Sequence, residues 1–220
     1  WAVLQPLLTI LIMTVVFNRI AGLKAPEGVP YVVFVCAAQL PWFFFATSLS
    51  SSANSLVSNA NLVSKVYFPR LIVPAGAVIV GGVDFLFSLG ILGAVMAWYQ
   101  FMPGWQILML PFLLLLAAGA AVGTGFLLSA LTVKYRDFRF VIPFMTQFGL
   151  YLSPVGYSSS LVEQQFGTTG RMIYSLNPMV GVIDGFRWAI TRGAEPLFWP
   201  SLGVSAAVVV VMMILGIHYF

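Results

Sequence analysis

Residues 85–133 read FLFSLGILGAVMAWYQFMPGWQILMLPFLLLLAAGAAVGTGFLLSALTV, without one Asp, Glu, Lys or Arg. A helix needs ~20 apolar residues to cross ~30 Å of hydrocarbon. The run is too long for one crossing, and Phe101-Met102-Pro103-Gly104 divides it in two. Its apolar residues are continuous rather than alternating, the pattern of helices and not of a lipid-facing β-barrel. The same reading extended in both directions predicts an all-α integral membrane protein with six spans. They run over about 1–17, 31–51, 71–98, 107–131, 140–157 and 202–220, in one transmembrane domain covering 1–220 with no internal repeat.

The composition agrees. Of 220 residues, 60% are hydrophobic and 7% charged, against roughly 25% charged in a soluble domain; the mean hydropathy is +1.00. So much apolar surface cannot be buried by so small a soluble chain, which excludes a soluble enzyme. Ten basic against six acidic residues are too few for a phosphate-tracking patch, so no nucleic-acid partner is expected. Cys36 alone can form neither an internal disulfide nor a Cys-rich zinc site. A catalytic triad would have to use His218, the one histidine, and no G-x-S-x-G elbow is present. No G-x-x-x-x-G-K-S/T motif occurs, so no ATP site of that kind is expected on this chain. The sequence starts at Trp1 in apolar residues, and a native segment is expected to precede it.

Lysine and arginine in short loops set orientation. Lys65, Arg70, Lys134, Arg136 and Arg139 follow spans two and four, whereas only Arg19 and Lys24 follow span one. The two-three and four-five loops and both termini are therefore expected in the cytoplasm, with 158–200 outside.

Several segments invite a closer reading. In 158–195, Ser160-x-x-Glu163 fits a capping box, and Asn177-Pro178 fits an N-cap followed by proline at the first helical position. Met179, Val182, Ile183, Phe186 and Ile190 recur at helical spacing before Gly193, and Asp184 and Arg187, one turn apart, can pair. Two short amphipathic helices lying on or dipping into the outer leaflet are expected, against the alternative of an ordinary loop with local helix. Gly119 and Gly123 form a G-x-x-x-G pair in span four, and span three holds Gly76, Gly81, Gly82 and Gly90, so these two spans are expected to pack tightly. Asp84, the acidic residue deep in a span, calls for a partner or water; structural pairing and a transport role both remain open.

In span five Phe140, Phe144, Phe148 and Tyr151 follow at steps of four, four and three, placing them on one stripe with Gln147 at its edge. That stripe is either core or lipid contact, or a slide of aromatic faces for sugar rings in a conduit, to which Gln5 and Phe17 of span one could contribute. Between spans two and three, residues 54–70 contain a short amphipathic helix. Leu62, Val66 and the Phe68-Pro69 corner form an apolar knob flanked by Lys65 and Arg70. A knob of this kind suits a groove on a soluble partner; the alternative is a juxtamembrane anchor.

The stretch Asn59-Ala60-Asn61-Leu62-Val63-Ser64-Lys65-Val66-Tyr67-Phe68-Pro69-Arg70-Leu71-Ile72-Val73-Pro74 resembles the loop between spans two and three in permease subunits of type-2 ABC exporters of lipid-linked polysaccharides, the O-antigen, capsule and teichoic-acid exporters. Trp1-Ala2-Val3-Leu4-Gln5-Pro6, residues 133–139 and residues 174–188 match in the same order, so the resemblance spans the chain. It implies a homodimer bound to two ATPase subunits, with ATP and Mg on those partners and no cofactor here. It implies that spans one and five line a conduit between copies, that Asn61, Leu62, Lys65, Val66, Phe68, Pro69 and Arg70 couple to the ATPase, and that Asn177, Pro178, Asp184 and Arg187 belong to an outer gate. Lys134, Arg136 and Arg139 become candidates for holding a pyrophosphate headgroup, with simple inside anchoring as the alternative. The implied location is the bacterial inner membrane, and family members carry an amphipathic helix before span one. An ABC exporter of another lipid or drug is the nearest rival. A membrane glycosyl- or phosphotransferase would want clustered Asp or His with a metal, and an ion-coupled carrier several intramembrane charges.

Overall fold

The computed structural model describes residues 4–65, 67–135 and 137–220, without the side chains of 62–64, and the described residues are all-helical. Helix α1 spans Leu4–Met13 and continues as a π-helical turn, Thr14–Ile20. Then follow α2 (Tyr31–Ser58), α3 (Ala60–Lys65) and α4 (Ile72–Trp98). A 3-10 turn, Trp105–Met109, leads into α5 (Leu110–Lys134), and α6 (Phe138–Leu152) follows. The chain ends with α7 (Ser160–Tyr174), α8 (Pro178–Ile190) and α9 (Trp199–Tyr219). Four helical segments are long and apolar enough to cross a membrane: Tyr31–Ser58, Ile72–Trp98, Trp105–Lys134 and Trp199–Tyr219; Leu4–Ile20 is a shorter apolar one.

Two boundaries differ from the sequence reading, each for a local reason. Helix α2 does not stop near Ser51 but continues through the Ser-rich stretch to Ser58, because Ser and Asn there donate back to carbonyls of their own helix. Asn54 Nδ2 reaches Ser50 O at 2.9 Å and Ser55 Oγ reaches Ser52 O at 2.7 Å. At 1.5 Å per residue α2 is about 42 Å long, more than the slab needs. Helix α6 is about 22 Å by the same rise, and it ends at Ser153 with extended geometry, φ −99° and ψ 150°. Pro154 follows, and the residue before a proline is pushed out of the helical region.

Helix α2 is the hub. Over its most apolar 18 residues 78% are buried, against 28% in each of the other three. Phe44 of α2, Phe85 of α4 and Phe186 of α8 form an edge-on ladder with centroids 5.7 and 6.1 Å apart. The glycines expected to draw spans three and four together do not meet each other. The glycine pair of α5 instead meets α9: a Cβ at Gly119 would lie 2.9 Å from Val209 Cγ1, and one at Gly123 2.7 Å from the Met213 backbone N. Helix α9 supplies its own small residue, Gly216, against Gly123 and Phe126. Close approach needs small residues on both faces; Gly76, Gly82 and Gly90 of α4 look onto open space, while Gly81 packs on Ser48 of α2.

Helix α8 does not lie on a surface. Met179, Val180, Val182, Ile183, Phe186 and Ile190 are fully buried, and the helix packs among α2, α5 and α9. Its N-cap forms as the sequence indicates, Met179 N–H donating to Asn177 Oδ1 at 3.1 Å. Its C-terminus closes with Gly193 N–H on Trp188 O at 2.9 Å, Arg192 and Gly193 both having positive φ, the hydrogen bond of a Schellman stop. Trp105, Trp188 and Trp199 gather at one end of the bundle, with centroids 6.0 and 6.3 Å apart. The Ser160-x-x-Glu163 capping box does not form: Ser159 caps α7 without a side-chain bond, and α7 is broken at Gly167, φ 70°.

Candidate functional site

Three groups of candidate residues fall in separate places. On α6 the stripe is real: Phe140, Phe144, Phe148 and Tyr151 are 78%, 58%, 52% and 58% exposed, and Phe144 stacks on Phe148 with centroids 4.1 Å apart. Ile142 is the residue that α6 buries. This helix therefore presents almost its whole aromatic face away from the rest of the described chain.

Beside that face, Gln5 of α1 and Gln147 of α6 border one cavity of about 300 Å³, together with Gln39, Trp42, Phe43 and Thr47 of α2. Thr9, Ser50 and Thr146 complete its polar wall. Phe17 is not at this cavity; it packs with Met13, Phe34 and Val35 and covers Gly156. A smaller cavity of about 120 Å³ shares Gln5, Phe43 and Thr47 and reaches Asp84. Asp84 makes no ion pair among the described residues, contrary to the structural pairing considered for it; it borders open space instead.

The coupling candidates surround α3. Asn61, Lys65, Pro69 and Arg70 are exposed and Phe68 is half-buried, while Tyr67 projects completely. Val66 and the side chain of Leu62 lie outside the described residues, as does Arg136 among the headgroup candidates. Lys134 and Arg139 are exposed, Lys134 Nζ lying 5.2 Å from the Tyr135 ring centroid.

The outer candidates form a buried polar lock whose wiring differs from the sequence reading. Asp184 and Arg187 do not make the expected ion pair. Asp184 Oδ2 accepts from Ser159 Oγ at 2.5 Å and lies 3.5 Å from Arg171 Nη2. Arg171 also binds Glu163 at 2.6 Å, donates to Ser159 Oγ at 3.0 Å and stacks 4.6 Å from the Phe198 centroid. Arg187, with no exposed surface, donates instead to Tyr157 O at 2.6 Å and Val155 O at 2.8 Å, its guanidinium carbon 3.9 Å from the Phe34 centroid. The carbonyls at 155 and 157 are free because α6 ended before Pro154, and they attract the arginine away from Asp184. Asn177 Nδ2 donates to Ser153 Oγ at 2.9 Å, tying Pro178 and the start of α8 to that same break. Ser158 donates to Glu195, and Tyr157 and Tyr174 share a bond of 2.9 Å.

Burial governs the charges here. It raises the Asp184 carboxyl above its ordinary range, against the lowering pull of Ser159, Arg187 and Arg171. It lowers Arg187 to about 10, with Asp184 pulling the other way. The Tyr174 hydroxyl is raised by burial and by its bond to Tyr157. Arg171, Ser159 and Gln39 escaped sequence reading. Arg171 carried a signal nonetheless: in so uncharged a chain Glu163, Arg171, Asp184, Arg187, Arg192 and Glu195 fall within one segment. Gln39 carried another, as a lone amide inside an apolar helix.

The match to known proteins is extensive. Residues 1–191 match the ABC-2 type transporter family. The chain is 24% identical over 212 residues to the O-antigen export system permease protein RfbA of Myxococcus xanthus, covering 96% of this chain and 80% of that one. It is 25% identical over 227 aligned residues to a protein of the same name from Klebsiella pneumoniae, covering 100% of this chain and 82% of the relative. A second Klebsiella pneumoniae permease so named is 25% identical over 194 residues, covering 88% and 72%. The chain, a multi-pass helical membrane protein, belongs to the ABC-2 type transporter family.

Proposed function

We propose that this chain is the permease subunit of an ATP-driven exporter that moves a polysaccharide carried on a polyprenyl lipid out of the cytoplasm. The observation that carries the proposal is the alignment with O-antigen export permeases over nearly all of the chain. The exposed aromatic face of α6 supports it. A hydrophobic face that its own subunit leaves uncovered suits a second copy and a passing glycan, since aromatic faces contact the apolar faces of sugar rings without selecting one sequence.

In this reading α1 with its π turn and α6 with the turn at 153–157 complete six spans, and the two copies enclose the conduit between them. Each copy carries one ATPase subunit, docked on the cytoplasmic elbow at 54–70, and ATP and Mg bind there. Lys134, Arg136 and Arg139 await the pyrophosphate at the inner face. Helices α7 and α8 form the outer gate, with Arg171, Asp184 and Arg187 as its lock. The protein sits in the bacterial inner membrane with both termini in the cytoplasm.

Depletion of the chain tests the proposal. Carrier-linked glycan should accumulate on the cytoplasmic leaflet and disappear from the outer one. An unchanged distribution across the membrane rejects the substrate class.

A further inference from the structure

The cavity between α1, α2 and α6 has a composition unlike its surroundings. Gln39 stands eight residues beyond Tyr31, about 12 Å along α2 at 1.5 Å per residue. It is 2% exposed, and neither its Nε2 nor its Oε1 has a hydrogen-bond partner among the described residues. An amide left unpaired in a low-dielectric interior costs several kcal/mol, so this position is expensive unless something polar enters beside it. Gln5 and Gln147, on the opposite walls, also lack partners among the described residues. Thr9, Thr47 and Thr146 donate their protons to carbonyls of their own helices, at 2.9, 2.8 and 3.0 Å. Their oxygens keep lone pairs for an incoming donor. Trp42 and Phe43 supply apolar faces on the same wall, and none of the described lining residues is charged.

We infer that this cavity is a sugar-binding station, which holds one or more neutral, hydroxyl-bearing rings of the glycan while they pass. The inference rests on the reading of the chain as a glycan permease and assigns the glycan contact to a place beside the exposed aromatic stripe. Three amides, each both donor and acceptor, match hydroxyls, which are also both. The three threonine oxygens accept. The absence of charge among the lining residues fits a neutral ring and not a phosphate. A cavity of about 300 Å³ is many times the ~10–15 Å³ that one water needs, room enough for a ring. Gln39 is the positioning amide at the back of the station, and Gln147 the accessible one at its mouth.

The test uses the chain with its ATPase in native membranes and the cell's own carrier-linked glycan as probe. Gln39→Met and Gln147→Met keep side-chain length and remove the hydrogen bonds. Each should slow export roughly three- to tenfold, the loss of about one net hydrogen bond, and Ala46→Phe, which fills the cavity, should stop it. Gln39→Met should leave thermal stability equal or higher, because it removes an unpaired buried amide. A photo-crosslinking residue in place of Leu150 should capture material whose sugar diols label after periodate oxidation. Full-rate export by Gln147→Met together with adducts that carry only acyl lipid overturns the station while leaving the permease reading intact. A wild type that exports no carrier-linked glycan removes both. If Gln39→Met fails to assemble, Gln147→Met and the crosslink decide.

Discussion

Arg187 of α8 lies 3.9 Å from the ring of Phe34 in α2 and donates to the carbonyls of Val155 and Tyr157. One side chain thus joins three elements that are distant in sequence. A delocalised guanidinium can stack and bond two carbonyls at once, which an ammonium cannot reproduce.

Arg187→Lys is therefore expected to lower stability by about 2–4 kcal/mol, the loss of one charge-assisted hydrogen bond and part of a desolvated stack. Thermal unfolding in detergent measures it; an unchanged Tm would show that the lock carries no load.

Asp184 sets a pH dependence. Burial holds its carboxyl above the ordinary value of 3.8. Above pH 3.8 and up to the raised folded value, the folded state binds more protons than the unfolded one, so this group lowers stability as pH rises. Asp184→Asn removes that slope. Tm recorded from pH 4 upward should fall more steeply in the wild type than in the variant, and equal slopes reject the assignment.

The seam between α5 and α9 depends on Gly123. A Cβ there meets backbone at 2.7 Å, and backbone cannot move aside as a side-chain end can. Gly123→Ala is expected to cost about 1–3 kcal/mol through overpacking. Gly90→Ala, which points into open space, should be neutral. A lower Tm for the second variant than for the first would overturn the seam.

Phe68→Asp combined with Pro69→Gly should abolish glycan export by removing the apolar corner offered to the ATPase. Copurification of the ATPase subunit and export are read together. Intact binding and export in the double variant would remove the coupling assignment.

Reporter fusions should place residues 65 and 136 in the cytoplasm and residue 170 outside. The reverse pattern would discard the orientation drawn from the basic loops.

What the amino-acid order determined by itself was the class of solvent and the helical state of the long apolar runs. Runs such as 110–133 have no partner for their backbone except their own helix once in lipid, so helix and membrane follow without tertiary information. The same holds for local stops, such as the Asn177 cap on α8 and the Gly193 hydrogen bond that closes it. Even the aromatic stripe of α6 is a matter of 3.6-residue periodicity. Tertiary structure decided which faces meet. Lipid treats apolar faces alike, so a glycine pair at 119 and 123 could not announce that its partner is α9 and not α4. Nor could the spacing of Asp184 and Arg187 disclose that two carbonyls left free just after Pro154 would take the arginine and leave the aspartate to Ser159 and Arg171. Gln39 was legible as a lone amide, but its burial and its lack of a partner among the described residues came only when α1 and α6 closed around it, because both belong to the packed bundle and not to any one helix.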